Sequence, residues 1–198
     1  LAQALTQHTS ANIPDAEKIY QAILQVTPDQ PVALHHLGVI TFQAGEHDDG
    51  IELVNKAIAI NQGDFLAYNS LGVMYAETGQ PDDAIACYQK TLEIKPDQAA
   101  SHYNLGNVFN GLEKFEEAVS SYRNALKIEP DNVEMLNNLG ITLSALGIFD
   151  EAKARYEKAL THNPESIDAL YNLGVLFLEL KLHENAIERF QQALAINP

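Results

Sequence analysis

The side chains whose types could do chemistry here are seven histidines, one cysteine, several paired carboxylates and a row of asparagines. The histidines are His8, His35, His36, His47, His102, His162 and His183. Two metal ligands share one helical face when they stand at i and i+4, and no two of these do. Adjacent His35 and His36 would point about 100° apart on a helix. A solvated or packed imidazole is the plain reading, so neither a metal nor a cofactor is expected. His35 and His36 would still change charge near a pH of about 6.5. Cys87 has no predictable base beside it, which leaves a nucleophilic role without support. No Gly-rich phosphate loop is present, and no strand–turn–helix carries a nucleophile. The pairs Asp48-Asp49 and Glu116-Glu117 open helical patterns, where the helix dipole explains them. No catalytic residue is assigned and no enzyme is expected. Asn104, Asn138 and Asn172 recur at one register, and each primary amide offers both donors and an acceptor.

The elements that must position these residues repeat. Leu-Gly occurs at Leu37-Gly38, Leu71-Gly72, Leu105-Gly106, Leu139-Gly140 and Leu173-Gly174, each 34 residues from the next. A fixed period of this length makes one supersecondary unit recur and predicts an all-α solenoid. Units begin at Pro31, Phe65, Ala99, Val133 and Ile167. The expected organisation is one domain over 1–198: a partial unit 1–30, then full repeats 31–64, 65–98, 99–132, 133–166 and 167–198. Residues 1–9 read as the remnant of a first helix.

Each unit reads as two helices, for example Ala100 to Leu112 and Phe115 to Glu129. Turns such as Gly45, Gly79 and Gly147 join them. Proline ends the second helix at Pro28, Pro96, Pro130, Pro164 and Pro198, since it lacks a donor and disfavours helix in the residue before it. Asp131 and Glu134 have capping-box-like spacing. Gly inside a helix costs about 1 kcal/mol relative to Ala. Five such glycines at one register predict close approach of two helix backbones, matched by Ala84, Ala118, Ala152 and Ala186. Tyr88, Tyr122, Tyr156 and Phe190 would fill the remaining volume, with Tyr75, Phe109 and Phe177 from first helices. The first full repeat departs most, with Gly50 for Ala, Val54 for the aromatic and Gln62 for Pro.

Leu-Gly, aromatic, Ala, aromatic and Pro at this spacing resemble the tetratricopeptide repeat, over essentially the whole chain. The family's signature Trp is replaced by Leu34, Tyr68, His102, Leu136 and Leu170. The resemblance implies a right-handed superhelix whose concave face is lined by first helices and binds peptides or protein segments. In that frame the candidate binding residues are His35, His36, Asn69, Tyr103, Asn104, Asn107, Asn137, Asn138, Tyr171 and Asn172. The Asn104, Asn138 and Asn172 row is similar to the asparagine ladder in the repeat domain of O-linked N-acetylglucosamine transferase. It would hydrogen-bond the backbone of an extended peptide whatever its side chains. The competing role for these amides is bonding to a neighbouring helix end. Chaperone-binding members of the family grip a carboxylate with Lys and Asn from first helices. No first helix here contains Lys or Arg, so that clamp is not expected. Glu77, Glu134, Asp168 and Glu179 border the groove instead, and favour a neutral or basic segment.

The formal net charge of −15 argues against nucleic acid, which needs a basic stripe, and against an anionic membrane surface. No apolar run approaches the ~20 residues that span a bilayer. A single cysteine permits no intrachain disulfide, which fits a reducing, cytoplasmic setting. The sequence runs from Leu1 to Pro198 and reads as a fragment or trimmed chain. The leading expectation is a scaffold that holds a protein segment. The alternatives are a substrate-recruiting part of a larger enzyme such as a glycosyltransferase, and self-association through uncapped ends. The apolar edge for the last is expected at Leu176, Leu180, Phe190 and Leu194.

Overall fold

The 34-residue period appears as helical hairpins of nearly uniform length. The computed structural model describes residues 13–197, so His8, Pro198 and the expected helix remnant over 1–9 lie outside the described residues. Eleven helices and no strand occur among the described residues. They are α1 (Ile13–Val26), α2 (Pro31–Gln43), α3 (His47–Ile60), α4 (Phe65–Glu77), α5 (Pro81–Ile94) and α6 (Ala99–Gly111). There follow α7 (Phe115–Ile128), α8 (Val133–Ala145), α9 (Phe149–His162), α10 (Ile167–Glu179) and α11 (His183–Ile196). The first helices α2, α4, α6, α8 and α10 begin at the first residues of the five units, so α6 runs from Ala99 to Gly111 where Ala100 to Leu112 was expected.

The chain divides into two compact units, with the boundary between Pro96 and Asp97. In the first, Ala16 and Tyr20 of α1 are buried with Ala33, Leu37 and Ile40 of α2. Phe42, Val54, Ala67, Leu71, Met74 and Cys87 form a second cluster, spread over α2 to α5. The second unit holds three hairpins around a cluster that includes Val119, Tyr122, Leu139, Leu143, Tyr156, Leu173, Leu176 and Phe177. Fully burying one such large side chain stabilises by roughly 1.5–3 kcal/mol.

The repeated glycines lie at close contacts, but the contact is not the one expected. At Gly72, Gly106, Gly140 and Gly174 an added Cβ would come within 2.5–2.7 Å of the ring of Tyr88, Tyr122, Tyr156 or Phe190. The glycine clears space for an aromatic ring rather than for a helix backbone. In the first full repeat the nearest atoms include helix backbone instead. There a Cβ on Gly38 would lie 2.8 Å from the Gly50 carbonyl oxygen, and one on Gly50 would lie 2.7 Å from that of Gly38. The departures in that repeat therefore belong together. Val54 leaves no ring to be cleared, the helices close up, and Gly50 keeps even a methyl group out.

Helix ends are also set by more than proline. α5, α7 and α9 stop two residues before Pro96, Pro130 and Pro164. The residues between, Lys95, Glu129 and Asn163, have ψ of 85°, 75° and 92°, outside the helical region as a following proline demands. Asn61 has the same conformation at ψ 86° although Gln62, not proline, follows. At the start of α8 the cap is Asn132, whose side chain accepts from the Met135 N–H at 3.2 Å. The expected capping box of Asp131 and Glu134 does not form; Glu134 has a different partner, described below. Asp64 and Ser166 cap α4 and α10 in the same way.

Candidate functional site

The exposed parts of the first helices carry no cation. α2, α4, α6, α8 and α10 contain no Lys or Arg, and their acids are Glu77, Glu134, Asp168 and Glu179. Second helices carry most of the cations and pair many of them with carboxylates. Arg123 Nη2 lies 2.7 Å from Glu151, and Arg155 Nη2 lies 3.2 Å from the same carboxylate. Lys158 reaches Asp131 at 3.1 Å and donates to the Pro130 carbonyl at 2.6 Å.

One polar bond recurs between neighbouring first helices. The residue two before the leucine of Leu-Gly meets the residue one before it in the next repeat. His35 Nε2 lies 2.9 Å from Ser70 Oγ. Asn138 Nδ2 donates to the Tyr103 hydroxyl at 2.7 Å. Asn172 Nδ2 donates to Asn137 Oδ1 at 3.0 Å. Asn138 and Asn172 thus bond side chains of the preceding first helix, not the helix end that the competing reading names.

These bonds sort the candidate residues. His35 and Asn137 are buried, at 5 % and 8 % exposure. His36 stacks between the rings of His35, at 4.9 Å, and Tyr20, at 5.5 Å. Asn69 lines a depression of about 150 Å³ with Val39, Ser70, Val73 and Glu77. Tyr103, Asn104, Asn138 and Asn172 are half-buried, and Asn107 is exposed. Tyr171 is the most open aromatic of the set, at 56 % exposure, with its ring tilted 5.7 Å from Phe190.

In the second unit the row thickens into a network. Tyr103 donates to Glu134 at 2.6 Å, and Tyr122 on α7 donates to Asn107 Oδ1 at 2.7 Å. Asn138 Nδ2 also reaches Asn107 Oδ1 at 3.3 Å. Burial, with the Glu134 bond adding to it, pushes the Tyr103 phenol up to about 12. Burial likewise raises Tyr122. Both hydroxyls therefore remain protonated donors at neutral pH. A concavity of about 200 Å³ opens here, lined by Asn107, Asn110, Gly111, Tyr122, Asn138 and Ile141.

Glu134, Asn110 and Thr142 belong to this network and were not singled out from the sequence as binding residues. Thr142 is fully buried and bonds Asn110 Oδ1 at 2.9 Å. Its register is Ile40, Met74, Val108 and Leu176 in the other repeats. A hydroxyl in an otherwise apolar register was the available signal, because a buried polar group requires a partner. The apolar edge expected on the last repeat is only partly open. Leu176 is buried at 1 %, while Ile187 and Leu194 are 55 % and 60 % exposed. Phe190 and Leu180 are half-buried, since the Phe190 ring fills the space over Gly174.

Among the described residues no group of three or more His, Cys, Asp and Glu is placed to hold a metal ion, and no helix is long and apolar enough to cross a membrane.

Two family models described as tetratricopeptide repeats match residues 1–65 with 137–198, and residues 53–86. A third, described as TPR repeat, matches 72–112 and 106–147. No curated protein matches the sequence. Among solved structures, YrrB, described as a TPR protein with an unusual peptide-binding site, is 21% identical. It covers 90% of this chain and 92% of its own, with a TM-score of 0.77. MamA from Desulfovibrio magneticus RS-1 is 17% identical over 85% of this chain and 95% of its own, with a TM-score of 0.80. PilF from Pseudomonas aeruginosa is 20% identical over 85% and 77%, with a TM-score of 0.74. These likenesses show the same hairpin fold. The chain belongs to the tetratricopeptide repeat family.

Proposed function

We propose that the chain is an interaction module that holds a peptide or protein segment against its first helices. The observation that carries this reading is an amide-bearing, cation-free row on α6, α8 and α10, flanked by the exposed ring of Tyr171. Amides that already bond each other keep spare donor and acceptor capacity, since each Asn offers two N–H groups and two lone pairs. An extended main chain has the matching groups at every residue. The four carboxylates of the first helices favour a neutral or basic segment over an acidic one. The solved relative YrrB, described as having a peptide-binding site, supports the reading by shared fold.

The test is a pull-down on a peptide array, repeated with Asn104, Asn138 and Asn172 changed together to Ala. Binding should fall at least tenfold, as the loss of two or three net hydrogen bonds at ~1 kcal/mol each implies. Melting should fall less, because Asn104 and Asn172 are only half-buried. Peptides bound equally well by the triple variant and the parent would place the site elsewhere.

A further inference from the structure

The hydrogen bonds around Asn107 have only one consistent direction. They start at a carboxylate. Glu134 of α8 is exposed, and its Oε1 lies 2.6 Å from the Tyr103 hydroxyl of α6. An ionised carboxylate only accepts, so Tyr103 gives its single proton to Glu134. The phenol oxygen then has lone pairs alone for its other neighbours. Asn138 approaches it at 2.7 Å and so presents Nδ2, not Oδ1. The other Nδ2 hydrogen of Asn138 faces Asn107 at 3.3 Å, which places Asn107 Oδ1 on that side. The Tyr122 hydroxyl, able to donate or accept, then donates to the same Asn107 oxygen at 2.7 Å.

Asn138 has thereby used both hydrogens inside the network and keeps its carbonyl oxygen. Asn107 has used its oxygen and keeps N–H capacity on an exposed residue. The adjoining concavity of about 200 Å³ has room for an amide group, given ~30 Å³ per water molecule in the liquid. Asp168 holds the register of Glu134 on α10, but the residue at the Tyr103 register is there Asn137. Among the described residues the phenol relay therefore belongs to one pair of repeats.

We propose that Glu134 is a positioning residue which, through Tyr103 and Asn138, fixes the polarity of this site: a donor at Asn107 and an acceptor at Asn138. The ligand group that fits is a secondary amide, the repeating group of a peptide backbone, with its carbonyl on Asn107 and its N–H on Asn138. The ligand half rests on the peptide-binding reading; the polarity half does not.

The test uses the side-chain amide signals of the whole chain in ¹⁵N–¹H spectra, for the parent, Glu134→Gln and Tyr103→Phe. In the parent the Asn138 amide hydrogens should exchange with water about tenfold more slowly than those of Asn107, as one net hydrogen bond implies. Glu134→Gln replaces an obligate acceptor by a group that also donates, and should erase the difference with melting unchanged. Tyr103→Phe should erase it too. N-methylacetamide, which has both groups, should shift both amides in the parent. N,N-dimethylacetamide, which lacks the N–H, should shift Asn107 alone. Slower exchange at Asn107 than at Asn138, or an unaltered pattern in Glu134→Gln, overturns the polarity and leaves peptide binding intact. A Glu134-dependent pattern with no response to N-methylacetamide overturns the ligand half, and the network then serves packing alone. Array peptides bound equally by parent and Glu134→Gln overturn the positioning role, whereas an array with no bound peptide removes the peptide reading itself.

Discussion

Gly38 and Gly106 hold the same register and meet different kinds of neighbour, so the same substitution should have different costs. A methyl group at Gly106 meets the edge of the Tyr122 ring at 2.6 Å, and a ring can tilt. A methyl group at Gly38 meets the Gly50 carbonyl oxygen at 2.8 Å and Leu53 Cβ at 3.0 Å, where the helix backbone itself would have to move. Overpacking costs about 1–3 kcal/mol, and Gly38→Ala is expected near the top of that range with Gly106→Ala near the bottom. Urea denaturation of the two variants checks the order. Cys87 makes a second prediction at this scale. Burial first, and Asp83 second, push its thiol up to about 11 from an ordinary value of 9.0. An acid whose folded pKa is raised remains neutral when the unfolded chain has already ionised. Its contribution is therefore intact below about pH 9 and is lost as pH rises toward 11. Iodoacetamide at pH 9 should label the unfolded chain readily and the native chain slowly, and Cys87→Ser should flatten part of the alkaline loss of stability.

At the scale of the helix and its turn, the period was a dependable guide to where elements begin and a poor one to what they touch. Four equal spacings between five Leu-Gly pairs place five helix starts, because a repeated hairpin has one way to stack on its neighbour. The same spacings say which register is crowded, but not whether a ring or a carbonyl does the crowding. That depends on Val54 against Tyr88, Tyr122, Tyr156 and Phe190, which lie 16 residues after the glycine on the next helix. Side-chain bonds such as Tyr103 to Glu134 were less legible still. They join residues a repeat apart, and their geometry follows from rotamers that spacing does not encode. The turns are legible and carry a prediction. Gly45, Gly79 and Gly147 have φ of 95°, 72° and 72°, and the same register holds Glu113 at 57° and Lys181 at 60°. A left-handed residue with a Cβ costs roughly 1–2 kcal/mol, against ~0.5–1 kcal/mol for the entropy of glycine. Glu113→Gly and Lys181→Gly are each expected to stabilise by about 0.5–1 kcal/mol, while Gly147→Ala should destabilise. Thermal melts of the three variants decide the matter.

For the molecule as a whole, the governing quantity is charge and where it sits. The chain has 27 acidic against 12 basic residues, and the cations are concentrated away from the first helices. Many are tied to carboxylates on or beside second helices, as Lys56 is to Glu52 at 2.6 Å and Lys90 to Glu93 at 2.8 Å. Exposed pairs of this kind contribute little, because solvent and salt screen them. The uncompensated acids repel one another in the compact state more than in the expanded chain. Salt acts on these two effects with opposite signs. It weakens the surface pairs slightly, and it screens the repulsion between acids separated by more than the ~8–10 Å Debye length of ordinary buffers. The excess of acids makes the second effect the larger one. Raising NaCl from about 0.02 M to about 0.3 M shortens the Debye length several-fold, so the urea midpoint should rise with the slope m unchanged. A midpoint that fell would mean that the ion pairs outweigh the net charge. The same screening should weaken capture of basic peptides on the array and leave neutral ones bound. The two salt series together therefore separate the field that destabilises the fold from the field that selects its ligand.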